Sequence, residues 1–240
     1  MENWFKEWFD ENYLLLYRHR DEREANLQFN LILDKVNPEK NWRILDLACG
    51  EGRYTYLFKN SGFDIKGIDL SETLINSGRE KYKGLKLEIC DMRNIKGKFD
   101  MILSLFTSFG YFLKEKENMD VISGIYNSLN PGGVFWLDFL NPGFVRKTLV
   151  NKGTKKIVSG MEILEERSIE GNRIVKRITI VKGEEKKRYT ESVRLFSKAE
   201  LSDMMKRSGF QIMEFFGNYS GDNWSDDSER TIVFAIKQQA

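Results

Sequence analysis

The chain has few of the residues that build special chemistry. Its 240 residues include one histidine, two cysteines and three prolines. That is too little nitrogen and sulfur for a structural zinc site, and no metal is expected. Two cysteines also exclude a disulfide framework. Cys49 and Cys90 each end an apolar, strand-like run and read as buried reduced thiols, as fits the cytoplasm. No apolar run approaches the roughly 20 residues of a transmembrane helix. The start, Met1-Glu2-Asn3-Trp4-Phe5-Lys6-Glu7, is amphipathic and acidic and lacks the basic and apolar regions of an export signal. The expectation is a cytoplasmic protein without a membrane partner. Net charge is only +2, from 38 basic and 36 acidic side chains, so nothing in the balance calls for nucleic acid.

What is present is an ordinary globular composition, 41% hydrophobic and 31% charged, in a length that suits one α/β domain with a small elaboration. Residues 1–36 read as helix, with Leu27, Leu31 and Ile32 at helical spacing and Asn37-Pro38 as the stop. Short apolar strands then alternate with helices: strands at 43–48, 63–69, 85–90, 99–103 and 134–139, the last after a Pro131-Gly132-Gly133 turn. Ser71 is a good helix N-cap. Such alternation predicts a parallel sheet covered on both faces. Residues 155–196 read as three antiparallel strands turning at Gly171-Asn172 and Gly183-Glu184. A helix capped by Ser197 and ended by Gly209 follows, then strands at 211–216 and 231–237. The expected organisation is a single domain: an N-terminal helical cap (1–36), a core (37–142), an antiparallel insertion over the substrate (143–196), and a C-terminal helix and hairpin (197–240).

The chemistry gathers at the ends of three successive strands. The first ends Asp46-Leu47-Ala48-Cys49-Gly50-Glu51-Gly52, where two glycines let the backbone pass close to a ligand. The second ends Gly67-Ile68-Asp69-Leu70-Ser71, and Asp69 there can accept from both hydroxyls of a ribose. The third ends Cys90-Asp91-Met92-Arg93, where Asp91 could accept from an adenine amine while the Met92 N–H donates to the ring. Each aspartate alone could be a helix cap or a surface charge. Together they mark the edge where wound sheets bind ligands. A dinucleotide is the competing ligand, but its G-x-G-x-x-G fingerprint fails at Thr55, and Asp46 and Glu51 would repel a pyrophosphate. They suit a cationic amino-acid ligand instead.

Residues 43–139 resemble the core of class I S-adenosylmethionine-dependent methyltransferases. Asp46-x-Ala48-Cys49-Gly50-x-Gly52 is similar to that family's glycine-rich motif, Asp69 to its ribose-binding acid, Asp91-Met92 to its adenine-contacting pair, and Leu129-Asn130-Pro131-Gly132-Gly133 to the turn before its fifth strand. The resemblance implies a Rossmann-like, doubly wound, seven-stranded α/β sheet with a reversed C-terminal hairpin, whose last strand runs antiparallel between the fifth and sixth. It also implies S-adenosylmethionine as cofactor and S-adenosylhomocysteine as product, with Leu70 and Leu105 as apolar cofactor contacts. A narrower likeness, to bacterial small-molecule methyltransferases that include amino-sugar N-methyltransferases, rests on Tyr13-x-x-x-Tyr17-Arg18-His19-Arg20, on Phe106-Thr107-Ser108-Phe109-Gly110-Tyr111 and on the insertion. There the N-terminal helices and the insertion cover the pocket.

On that footing Tyr13, Tyr17 and Arg20 could close over the methionine end of the cofactor, with Arg20 pairing its carboxylate. The same stretch could equally be a solvated, charged helix face. Phe106, Thr107, Ser108 and Phe109 could wall the acceptor, or simply pack. His19 and Tyr111 are the two candidates for a catalytic role, His19 because its unperturbed pKa suits a base near neutrality. Asn141-Pro142-Gly143-Phe144 looks like the Asn-Pro-Pro-Tyr/Phe signature of nucleic-acid amino-methyltransferases, but it follows the fifth strand rather than the fourth and lacks the second proline. The leading reading is transfer of a methyl group to a nitrogen or oxygen of a small-molecule acceptor, by a monomer or homodimer. The alternatives are a methyltransferase acting on RNA or protein, suggested by basic clusters at 152–156 and 182–188, a non-catalytic S-adenosylmethionine-binding protein, and an NAD-dependent oxidoreductase.

Overall fold

The structure is a computed structural model that describes residues 3–17, 22–150 and 153–239. Its main sheet begins with β1 (Arg43–Leu47), where Ile44, Leu45 and Leu47 are all buried. β2 (Asp64–Asp69), β3 (Lys86–Ile89), β4 (Phe99–Ser104) and β5 (Leu129–Leu140) pair in parallel around it. β10 (Phe210–Phe216) and β11 (Arg230–Lys237) form an antiparallel hairpin, and β11 also runs antiparallel to β5. The seven-stranded order is β10-β11-β5-β4-β1-β2-β3, the reversed-hairpin sheet expected from the sequence.

Period-two alternation sends side chains to two cores. Leu45, Ile102, Phe135, Leu137 and Phe139 face one, with Ile122 and Ile125 of α6 (Glu115–Ser128) and Leu201 and Met205 of α8 (Lys198–Arg207). Ile44, Met101, Leu103 and Trp136 face the other, with Phe29 and Ile32 of α3 (Glu22–Val36) and Phe58 of α4 (Arg53–Asn60). Ser71 caps α5 (Glu72–Lys81) by accepting from the Leu74 N–H, and Ser197 caps α8 in a reciprocal box with Glu200.

Four expectations need correction. The N-terminal helix is not continuous: α1 (Trp4–Trp8) and α2 (Glu11–Tyr17) precede α3, because the Asp10 carboxylate accepts from the N–H groups of Asn12 and Tyr13 and starts a new helix. β5 begins at Leu129 rather than Val134. Residues 130–133 form a bulge that shifts the pairing from Phe99↔Leu129 to Met101↔Val134. A further helix, α7 (Pro142–Thr148), starts at the Asn141 side chain, whose oxygen accepts from the Gly143 N–H. The insertion has four strands, not three: β6 (Thr154–Val158), β7 (Met161–Glu170), β8 (Arg173–Lys182) and β9 (Glu185–Arg194), in that order. β6 escapes a sequence reading because it buries little; Ile157 is 75% exposed, so no alternation shows. The turns at Gly171-Asn172 and Gly183-Glu184 join β7 to β8 and β8 to β9 as expected.

Among the described residues, no helix is long and apolar enough to cross a membrane.

Candidate functional site

A cavity of about 570 Å³ opens at the carboxyl ends of β1, β2, β3 and β4. Its size falls within the range of small-molecule sites. The glycine turn forms one wall. Ala48, Gly50 and Gly52 all take positive φ (57°, 59° and 81°), which folds the backbone sharply between β1 and α4. Ala48 and Gly50 line the cavity. Gly52 does not; a Cβ there would come within 2.9 Å of the Leu87 side chain, so this glycine serves packing.

Asp46 is 2% exposed, and its Oδ2 accepts from both the N–H (3.1 Å) and the hydroxyl (2.7 Å) of Thr55. Burial pushes its carboxyl up to about 6, against the two Thr55 bonds, which pull it down. Asp69 accepts the Gly50 N–H on Oδ2 and the Ser71 N–H on Oδ1, each at 2.8 Å. Burial raises its pKa too, and backbone donors oppose the rise. Both carboxylates and Leu70 line the cavity, as do Asp91 and Met92. Asp91 is already engaged: Arg93 gives it a backbone N–H, Nε–H and a second guanidinium nitrogen at 2.9, 3.0 and 2.6 Å. Burial acts to raise the Asp91 carboxyl, and Arg93 outweighs it and holds it below the usual range.

The segment after β4 divides. Leu105, Phe106, Thr107, Ser108 and Tyr111 line the cavity. Phe109 does not; it is 1% exposed and packs between Phe139 and Phe196, which corrects its assignment to the pocket wall. Phe106 and Thr107 both hold positive φ (54° and 64°), unusual for such side chains. Asp138, fully buried, fixes them. It accepts the Phe106 N–H (2.9 Å), the Tyr219 hydroxyl (2.8 Å) and Arg230 Nε–H (2.8 Å), and Arg230 also donates to the Thr107 hydroxyl (2.8 Å). The Ser108 hydroxyl donates to its own loop, at the Leu105 carbonyl.

Tyr13 and Tyr17 line the cavity from α2. The Tyr17 hydroxyl donates to Glu191 at 3.0 Å, and burial followed by the charge of Glu191 raises its pKa far enough to keep it protonated. His19 and Arg20 lie outside the described residues. Cys49 and Cys90 are free and only partly buried, and both border the cavity, which corrects the expectation of buried thiols. Burial raises the Cys49 pKa, with Asp46 and Asp69 adding to it, which disfavours the thiolate.

Sequence reasoning missed much of the roof. Trp4, Phe5 and Phe9 close the cavity through ring contacts with Tyr111, at centroid distances of 5.0, 6.1 and 6.1 Å. Their paired aromatic spacing, Trp4-Phe5 and Trp8-Phe9, was the available signal. Arg167, Lys176, Glu191 and Arg230 also line it, and nothing in their local sequence marks them. Asn141 proves structural: besides capping α7, its amide donates to the carbonyls of Ser225, Asp226 and Ser228.

Residues 44–133 match the family described as "Methyltransferase domain". YqeM of Bacillus subtilis (strain 168) is 24% identical over 215 residues, 84% of this chain and 86% of that one. A dTDP-3-amino-3,4,6-trideoxy-alpha-D-glucopyranose N,N-dimethyltransferase of Streptomyces venezuelae is 32% identical over 93 residues, 38% of this chain and 39% of that one. The crystal structure of an S-adenosylmethionine-dependent methyltransferase from Clostridium acetobutylicum ATCC 824 superposes with a TM-score of 0.78 at 21% identity, covering 95% and 96% of the two chains. Residues 44–133 thus carry a methyltransferase domain, and the chain as a whole has the fold of the solved S-adenosylmethionine-dependent methyltransferase. S-adenosylmethionine is therefore the cofactor of this methyltransferase, and the site's own residues fit it: the cavity's glycine-turn edge presents carboxylates to a ligand that carries an ammonium and a sulfonium.

Proposed function

We propose that this methyltransferase transfers a methyl group to a nitrogen or oxygen of a small-molecule acceptor held between the post-β4 loop and the insertion sheet. The observation that carries the reading is the roof: α1, α2 and the face of β7–β9 line the same cavity as Asp46 and Asp69, which leaves room for a small acceptor under cover. The name of the Streptomyces venezuelae relative, an amino-sugar N,N-dimethyltransferase, supports the same class.

In this reading Asp69 takes the ribose hydroxyls on the lone pairs that Gly50 and Ser71 leave open. Gly50 and Ala48 let the backbone approach the methionine end, and Asp46 faces its cationic groups. Leu70, Met92 and Leu105 flank the adenosyl group, and Asp91 reaches the adenine amine only with the oxygen capacity that Arg93 does not use. Tyr13 and Tyr17 close the methionine end, where Arg20 is also proposed to act. The cofactor supplies a methyl group already activated on sulfur. The protein's part is to hold the acceptor in line and exclude water, which alone contributes up to roughly 7–11 kcal/mol in favourable cases. Phe106, Thr107, Ser108 and Tyr111 do this by walling the acceptor. A neutral amine needs no base in the step; for a hydroxyl, His19 and Tyr111 are the candidates. Residues 143–196 act as the lid over a single domain.

Two experiments test this. Calorimetry with S-adenosylhomocysteine against NAD checks the nucleotide. A panel of small amines and hydroxyl compounds, scored by S-adenosylhomocysteine release, checks the acceptor. Tight, salt-sensitive RNA binding with no turnover of the panel would favour a macromolecular substrate instead.

A further inference from the structure

The insertion sheet turns one row of charged side chains into the cavity. Pairing places Arg167 opposite Lys176, and Lys176 opposite Glu191, so the three share one face of three adjacent strands, and all three line the cavity. Like charges directly opposite each other on paired strands destabilise a sheet. Arg167 and Lys176 break that rule, and their shared counter-ion does not cancel them. Glu165, 4% exposed, is met by Lys156 at 3.0 Å, Arg167 at 3.1 Å and Lys176 at 3.1 Å: three cations on one carboxylate. Glu191 offsets part of the Lys176 charge, since Lys176 donates to the Tyr17 hydroxyl that in turn donates to Glu191, but two carboxylates still face three cations. The Glu191 Oε1 accepts from Trp8 Nε1 at 2.6 Å and from the Tyr17 hydroxyl at 3.0 Å, and it makes no ion pair with Arg167 or Lys176.

The excess positive charge is held in place. Lys176 is 7% exposed and donates to Tyr17, so it cannot swing into water. Arg167 spends one guanidinium nitrogen on Glu165, and its partly exposed side chain lines the cavity. A partly buried cation without full compensation is costly, and an anionic ligand would remove that cost.

We propose that Arg167 and Lys176 form an anion subsite for the acceptor, which carries a carboxylate or phosphate group. This deepens the small-molecule methyl-transfer reading and rests on it. Arg167 supplies the planar fork suited to either anion, and Lys176 supplies a point charge beside it.

The test uses the full-length protein saturated with S-adenosylhomocysteine, titrated with sodium acetate and with inorganic phosphate at constant ionic strength balanced by chloride. Wild type is expected to bind one of the two saturably. Arg167→Gln, at a partly exposed position, is expected to weaken that binding by about tenfold or more while leaving the S-adenosylhomocysteine dissociation constant within about twofold. Phosphate binding would indicate a phosphate-bearing acceptor, and binding of acetate alone a carboxylate. Arg167→Lys, which keeps charge and loses the fork, should fall between. The proposal is overturned if neither anion saturates, if Arg167→Gln binds the anion as well as wild type, or if it loses S-adenosylhomocysteine in parallel, since the subsite would then serve the cofactor's own carboxylate. A wild-type protein that fails to bind S-adenosylhomocysteine would instead remove the methyl-transfer reading. The same titration on the free protein still judges the subsite.

Discussion

The indole nitrogen of Trp8 donates to the Glu191 carboxylate at 2.6 Å, joining α1 to β9 across 183 residues of chain. Trp8 is fully buried, and its ring lies 4.6 Å from that of Tyr189, whose hydroxyl donates to Asp10. The N-terminal helices and the insertion sheet thus form one roof over the cavity.

Trp8→Phe should open that roof. It removes a hydrogen bond to a charged acceptor, an interaction worth about 1.5–3 kcal/mol. The expected result is a lower melting temperature and weaker S-adenosylhomocysteine binding, because Tyr13 and Tyr17 pack on the same ring. Thermal unfolding and calorimetry check both. An unchanged melting temperature would mean that the bond contributes nothing to docking the helices.

Asp69 carries two duties. From the sequence, Asp69→Ala should weaken cofactor binding by about tenfold or more with the fold intact. The structure adds that alanine also strands the N–H groups of Gly50 and Ser71, at roughly 1–3 kcal/mol for each group left unpaired. Asp69→Asn keeps an acceptor oxygen and should lose affinity with a smaller fall in melting temperature. Equal dissociation constants for wild type and Asp69→Asn would remove the ribose assignment.

The Asp46 carboxyl, pushed up to about 6, predicts opposite pH trends for binding and stability. Below about 6 it is protonated and loses its attraction for a cationic ligand, so the dissociation constant of S-adenosylmethionine should rise as pH falls through that range. Its folded pKa lies above its unfolded one. Its contribution to the stability of the ligand-free protein is therefore greatest below the ordinary carboxylate range and is lost as pH rises through about 6. Asp69, raised in the same direction, adds to both trends. Asp46→Asn should flatten each curve without abolishing it; calorimetry and melting between pH 5 and pH 8 would show whether it does.

Asp138→Asn removes the charge that holds Arg230 in a buried site. Breaking such a pair from one side typically costs about 3–5 kcal/mol. Because Asp138 and Arg230 also fix Phe106 and Thr107 in their positive-φ conformations, turnover should fall beyond what the stability loss explains. A folded Asp138→Asn enzyme with the wild-type kcat would show that the post-β4 loop holds its shape unaided.

The parts of the site legible in the sequence were those made by local geometry. A glycine turn must directly follow a strand, and Asp69 and Asp91 must directly follow theirs, so Asp46, Gly50, Asp69 and Asp91 could be placed from spacing alone. Phe109 could not be separated from Phe106 in that way. Both are aromatic, two residues from Thr107 and Ser108 at most, and only the packing of Phe196 and Phe139 draws Phe109 into the core. β6 and α7 were missed for different reasons, the first because it buries too little to alternate and the second because Asn141-Pro142 read as a motif rather than a helix start.

By itself the sequence determined the wound sheet and the acidic glycine-turn edge, since each follows from periodicity and turn chemistry within a few residues, while the reversed hairpin was implied by the family resemblance. Tertiary structure alone decided what covers that edge and what charge faces it. Trp8 meets Glu191, Arg167 meets Lys176 and Asp138 meets Arg230 only because distant strands and helices pack together. An isolated charged residue in a sequence carries no sign of whether folding will bury it, pair it or leave it facing a ligand.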